Sequence, residues 1–191
     1  MKQLIIILAM GLIIGISFAS IDEYYTFNAT SGTYTPIVGT NANISSDDVI
    51  SAAIPIGFTF PYGDYIYNEV KISSNGWIGL GTSQTSSNLT NNLASTTIVP
   101  TVAPLWDDCS LAAGICEYLL SGTAPNRIFT IQYTNLKWRY SATTFFNLQA
   151  RLYENGKIDF LYGSSTGDPA SPSASIGINM LPGGSGWFYS I

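Results

Sequence analysis

The chain has 191 residues, a formal net charge of −5 at pH 7, only 10% charged residues and no histidine. Scattered carboxylates with so few Lys and Arg form no basic patch for a polyanion, which excludes nucleic acid as a partner, and the missing histidine excludes any histidine-based catalytic triad. At 46% hydrophobic and 13% aromatic residues, the composition belongs to a folded chain and not a disordered one.

Lys2 is followed by an apolar run, Leu4 to Ile16, and then by Ser17-Phe18-Ala19. A short apolar stretch closed by a small-x-small tripeptide reads as a secretory signal peptide of residues 1–19, cleaved after Ala19, with a retained amino-terminal anchor as the alternative. Residues 20–191 then form one domain that is secreted or displayed at the cell surface, with no later run long enough to span a bilayer.

Tyr24 to Val38 alternates aromatic or β-branched residues with small polar ones, which predicts two short strands about Ser31-Gly32. Asn41 to Asp48 is polar and predicts an exposed loop. Ile54, Ile56, Phe58 and Phe60 recur at period two and so share one face of a strand, which Pro55 places at an edge or a strand start. In Glu69 to Gly81, EVKISSNGWIGLG, Asn75-Gly76 is a strong hairpin signal, predicting a two-residue type I′ turn between apolar strands.

Thr82 to Thr97 is a run rich in Ser, Thr and Asn, read as a long surface loop. Strands follow at Val102–Trp106, Glu117–Leu120, Arg127–Tyr133 and Thr144–Tyr153. The last sets Phe146, Leu148, Ala150 and Leu152 against a wet face of Asn147, Gln149 and Arg151. Asn155-Gly156 repeats the hairpin signal and returns the chain through Ile158, Phe160 and Tyr162. After a second loop containing Asp168-Pro169 and Pro172, Ile176–Met180 and Trp187–Ser190 make the final strands. The fold class is therefore all-β, an antiparallel two-sheet sandwich of jelly-roll type.

Five segments taken in order, VKISSNGWIGLG (70–81), APLWDD (103–108), APNRIFTIQYTNLKW (124–138), FNLQARLYENGKIDFLYG (146–163) and ASIGIN (174–179), carry a family likeness. Together they resemble a β-sandwich domain of bacterial secreted and cell-surface multidomain proteins and, more distantly, the nidogen-type extracellular (NIDO) domain. The resemblance implies an extracellular adhesion or carbohydrate-contacting module of a larger protein, with an extracellular glycan or surface protein as partner and no known chemistry. It remains a likeness of fold. The loop bearing Cys109 and Cys116 looks like a local addition to the family pattern.

Cys109 and Cys116, seven positions apart in an exported chain, are expected to form a disulfide, with two free thiols as the alternative. Two sulfurs without a histidine do not make a zinc site. Asp107 and Asp108 at a strand end are the candidate metal ligands, for Ca²⁺, against a reading in which one carboxylate ties down loop amides and the other is solvated. Trp138 and Tyr140, beside Lys137 and Arg139, are candidate ligand-binding residues offering a flat platform to a sugar, against a reading as aromatics that cover the core. A non-catalytic module is expected. The competing reading is a fragment of a secreted carbohydrate-active enzyme, for which Glu117 and Asp159 would have to lie across a cleft from Asp107 or Asp108.

Overall fold

Residues 20–139, 143–167 and 173–191 are described by a computed structural model; the expected leader, Tyr140 and the Asp168-Pro169 turn lie outside them. After one 3-10 turn at Ile21–Glu23 come the strands β1 (Thr40–Asn41), β2 (Ile54–Tyr62), β3 (Tyr65–Ile72), β4 (Ile78–Leu80), β5 (Thr101–Trp106), β6 (Ile115–Ser121), β7 (Ile128–Lys137), β8 (Phe145–Tyr153), β9 (Ile158–Thr166), β10 (Ser175–Asn179) and β11 (Phe188–Ser190). They pair antiparallel into a five-stranded sheet, β1-β6-β7-β8-β9, and a six-stranded sheet, β11-β10-β5-β4-β3-β2. The two-sheet sandwich expected from the sequence is the fold. Most neighbours within each sheet are consecutive in the chain.

Period-two patterning fills the space between the sheets. In β2 the burial alternates as the sequence requires, with Ile54, Ile56, Phe58 and Phe60 inward and the residues between them outward. From the opposite sheet Phe129, Ile131 and Tyr133 of β7 and Leu148, Ala150 and Leu152 of β8 complete the core. Two tyrosines span it with satisfied hydroxyls. Tyr133 donates to Ser73 O at 3.1 Å and Tyr62 to Asn179 O at 2.9 Å, so neither buries an unpaired polar atom.

The loop 82–97 is irregular, as expected, but it is not idle surface. It folds over the outer face of β4 and β5, where Trp77, Trp106, Ala103 and Leu93 form a second small core. Both indoles donate to loop carbonyls, Trp77 to Ser87 O at 2.7 Å and Trp106 to Asn88 O at 2.9 Å. Covered on both faces, β4 and β5 are buried at every residue.

Both Asn-Gly hairpins differ from the expected two-residue turn. Ser73 N bonds to Trp77 O while Gly76 N bonds to Ser73 O, and Tyr153 N bonds to Lys157 O while Gly156 N bonds to Tyr153 O. Each is a three-residue loop in which glycine alone takes positive φ, +75° at Gly76 and +90° at Gly156. A type I′ turn needs positive φ at two positions. Here the extra residue lets one glycine carry the whole left-handed step.

Residues 24–39 do not form the expected pair of strands. They run as a strap across the outer face of β7, β8 and β9, held by side chains: Gln149 Nε2 donates to Thr35 O at 2.8 Å, and Gln132 exchanges bonds with the Ile37 backbone in both directions. The face expected to be wet is therefore partly covered, and Gln149 is fully buried. In the polar stretch 41–48, Ala42 and Ile44 are likewise buried, so this segment is anchored and not a free loop.

The expected disulfide is absent. Cys109 and Cys116 are free, buried thiols within the main core. Cys116 is fixed in β6 opposite Tyr133, while the Cys109 thiol points back to its own turn and donates to Leu105 O at 3.8 Å. Both behave as small apolar core residues, which is the usual place of a buried cysteine.

Candidate functional site

The sandwich ends at β9, the outermost strand of the five-stranded sheet, and at β11, the outermost strand of the other. A groove of about 620 Å³ opens between them along the strap. Its walls come from three elements: Tyr25, Phe27 and Tyr34 from the strap, Phe160 and Tyr162 from β9, and Tyr189 from β11. Arg151, Lys157 and Asp159 add charge to its lining.

Each wall is positioned by an identifiable contact. The Tyr34 ring lies over Gly163 so closely that a Cβ there would meet it at 2.9 Å, so the missing side chain makes its seat. Tyr25 donates to Gly156 O at 3.1 Å, fastening the strap to the β8–β9 hairpin. Tyr162 reaches across to Pro104 O of β5 at 2.6 Å and still leaves 44% of its surface exposed. Burial raises the Tyr25 and Tyr162 phenols far above their ordinary range, so both are neutral hydrogen-bonding groups at physiological pH.

Among the described residues that line the groove, the one side-chain carboxylate is committed. Asp159 accepts from Lys157 Nζ at 2.9 Å and from the Tyr153 hydroxyl at 2.7 Å. Its hydrogen bond holds the Lys157 ammonium above its usual range, and Lys157 lies 4.7 Å from the centre of the Tyr153 ring. Glu117 is remote from the groove, on β6, where its carboxylate accepts from Gly39 N at 3.2 Å.

The other sequence candidates fall elsewhere. Asp107 is 4% exposed and held by three hydrogen bonds: Oδ1 accepts from Asp108 N at 2.9 Å, and Oδ2 accepts from the Trp138 indole at 2.7 Å and the Ser173 hydroxyl at 2.8 Å. Trp138 is half-buried and packs edge-on against Phe146 at 5.2 Å. Asp108 turns the opposite way, as consecutive residues at a strand end do, toward Asp47 and Asp48. Sequence reasoning missed the groove because its residues are distant in the chain. Ile158, Phe160 and Tyr162 showed only a period-two strand, with no sign that this strand would end a sheet.

Among the described residues no helix is long and apolar enough to cross a membrane. A family model described as NIDO related matches residues 24–191, nearly all of the sandwich and its strap. No curated protein and no solved structure matches the chain.

Proposed function

Because the chain belongs to the NIDO-related family, we propose that it is a non-catalytic extracellular binding or adhesion module of a larger surface or secreted protein, with the β9–β11 groove contacting carbohydrate. The observation that carries this reading is the groove itself. It combines broad aromatic surface with a few fixed polar groups, the composition of sites that bury one face of a small ligand and orient it by hydrogen bonds. Tyr34 on the outer face of β9 and Tyr162 on its inner face supply aromatic surface along this edge strand, and Arg151 with the Lys157–Asp159 pair, on the outer face, supplies donors and acceptors.

The non-catalytic part rests on Asp159. Glycoside hydrolysis asks for two carboxyls about 5 to 9.5 Å apart across the scissile bond. Among the described residues that line the groove, the side-chain carboxylate is Asp159, already paired with Lys157. Screening the purified chain on a glycan array, with a parallel assay for released reducing sugar, tests both parts. Retention without release is the expected result. Release of sugar, abolished by Asp159→Asn, would make the protein a hydrolase.

A further inference from the structure

Two arginines of the sandwich are used in opposite ways. Arg127 gives Nε and Nη2 to the Glu154 carboxylate and Nη1 to Gly57 O, so each nitrogen of that guanidinium is held inside the fold. Arg151 lies directly opposite Asp159 in the β8–β9 register, where a cross-strand ion pair would be in reach, yet Asp159 turns its Oδ2 to Lys157 Nζ and the Tyr153 hydroxyl. The ion pairs among the described residues are Arg127–Glu154 and Lys157–Asp159, and Arg151 joins neither.

A neutral oxygen holds Arg151 instead. Its Nε and Nη2 both donate to Gln149 Oε1, at 3.1 and 2.8 Å. Gln149 is 0% exposed and is itself fixed, its Nε2 donating to Thr35 O and to Gln132 Oε1 at 2.8 Å each, and Gln132 bonds in turn to the Ile37 backbone. A buried amide chain thus sets the direction of a guanidinium that lines the groove, while its Nη1 makes no hydrogen bond to the described residues. Tyr34 is its neighbour on the outer face: burial raises the Tyr34 phenol, and the Arg151 charge opposes that rise. One side of the Tyr34 ring rests on Gly163, which leaves the other side turned away from the sheet.

We propose that the groove takes an acidic saccharide and that Arg151 is its specificity-determining residue, binding the carboxylate of a uronic acid whose ring lies against Tyr34; this rests on the reading of the groove as a carbohydrate site. A hexuronate carries its carboxylate at the rim of the pyranose ring, so a sugar stacked on Tyr34 presents that group sideways, toward a cation on the same face. The planar guanidinium fork matches the two oxygens of a carboxylate, and such charge-assisted pairs are about twice as strong as neutral hydrogen bonds. Two of the seven Lys and Arg residues line this groove in a chain of net charge −5, so an anionic ligand repelled by the rest of the surface meets cations here. Lys157 adds attraction but is already paired with Asp159, which leaves the choice between acid and neutral sugar to Arg151.

Calorimetry with matched ligands tests it: uronic-acid oligosaccharides retained on the glycan array, and the same oligosaccharides with each carboxylate reduced to a primary alcohol. The parent chain should bind the acidic form roughly tenfold or more tighter than the reduced form, with the preference shrinking as salt is added. In Arg151→Gln, whose amide can still donate to Gln149 Oε1, the two forms should bind within about twofold of each other. Arg151→Lys, which keeps the charge and loses the fork, should retain part of the preference, and thermal melts of both variants separate lost recognition from lost fold. Equal binding of the two forms by the parent chain, retention of sulfated glycans in preference to uronates, or the full preference surviving in Arg151→Gln would overturn the role of Arg151 and leave the groove a carbohydrate site. Retention of no glycan at all would overturn the reading of the groove together with it.

Discussion

The Trp138 indole nitrogen donates to Asp107 Oδ2 at 2.7 Å, so an aromatic and an acid that both looked available for ligands hold each other instead. The pair joins the end of β7 to the end of β5, and Ser173 adds a third element through the same oxygen. Asp107→Ala leaves a buried indole N–H, a hydroxyl and an amide without their acceptor and should cost roughly 2 to 3 kcal/mol. Trp138→Phe, which removes one donor and keeps most of the ring, should cost less. Urea unfolding of the two variants checks the order, and equal losses would count against the Asp107 carboxylate as the shared anchor.

The two hairpin glycines should not tolerate alanine equally. Both carry positive φ, which by itself costs a non-glycine residue roughly 1 to 3 kcal/mol. At Gly76 a Cβ would also collide with the Leu105 carbonyl oxygen of β5, whereas at Gly156 it meets Pro61 O at 3.1 Å, tight but without overlap. Gly76→Ala should therefore lower the urea midpoint clearly more than Gly156→Ala. Comparable midpoints would show that the β3–β4 tip does not lie against β5 as described.

Buried thiols predict both chemistry and pH dependence. In the native chain neither cysteine should react with iodoacetamide, and both should react in denaturant without prior reduction, as mass spectrometry can count. Burial raises the Cys109 thiol from 9.0 to about 12 and Cys116 further. The folded state thus keeps protons that the unfolded chain releases. The stability these groups contribute is intact below about pH 9 and is lost as pH rises through the folded values, at ~1.4 kcal/mol per pH unit for each thiol. Tyr62 and Tyr133, raised well above 10 by burial, add to the same fall at higher pH. Urea midpoints should hold steady up to about pH 8.5 and drop beyond it, and less steeply in Cys116→Ala. A flat profile to about pH 10.5 would contradict the burial of these groups.

Much of the fold was legible because it is written in local patterns. The period of two in Ile54 to Phe60 and in Phe146 to Leu152 placed those strands and their inner faces, and the Asn-Gly pairs marked both hairpins. What was not legible depended on distant partners. The strap 24–39 has strand-like composition, yet its backbone is held by Gln132 and Gln149 side chains more than ninety positions away. Seven-residue spacing made a disulfide between Cys109 and Cys116 plausible, but β6 fixes one thiol in the core while the other turns to Leu105 O. Asp107 and Asp108, the candidate calcium ligands of the sequence, part company in the fold, Asp107 binding Trp138 and Ser173. Which of the two faces solvent is decided by Trp138, Asp47 and Asp48, and no local pattern reveals that.

The central claim is that the groove between β9 and β11, along the strap, is the binding surface. The most direct test is the affinity of the glycan selected on the array, measured by calorimetry for the parent chain, for Tyr34→Ala and for Tyr65→Ala. Tyr34 lines the groove, whereas Tyr65, 50% exposed on β3, lies outside it and is equally large and aromatic. Loss of a stacking aromatic face predicts an affinity roughly tenfold or more weaker for Tyr34→Ala, and an unchanged value for Tyr65→Ala. Full affinity in Tyr34→Ala, or the same loss in both, would contradict the assignment of function to this groove.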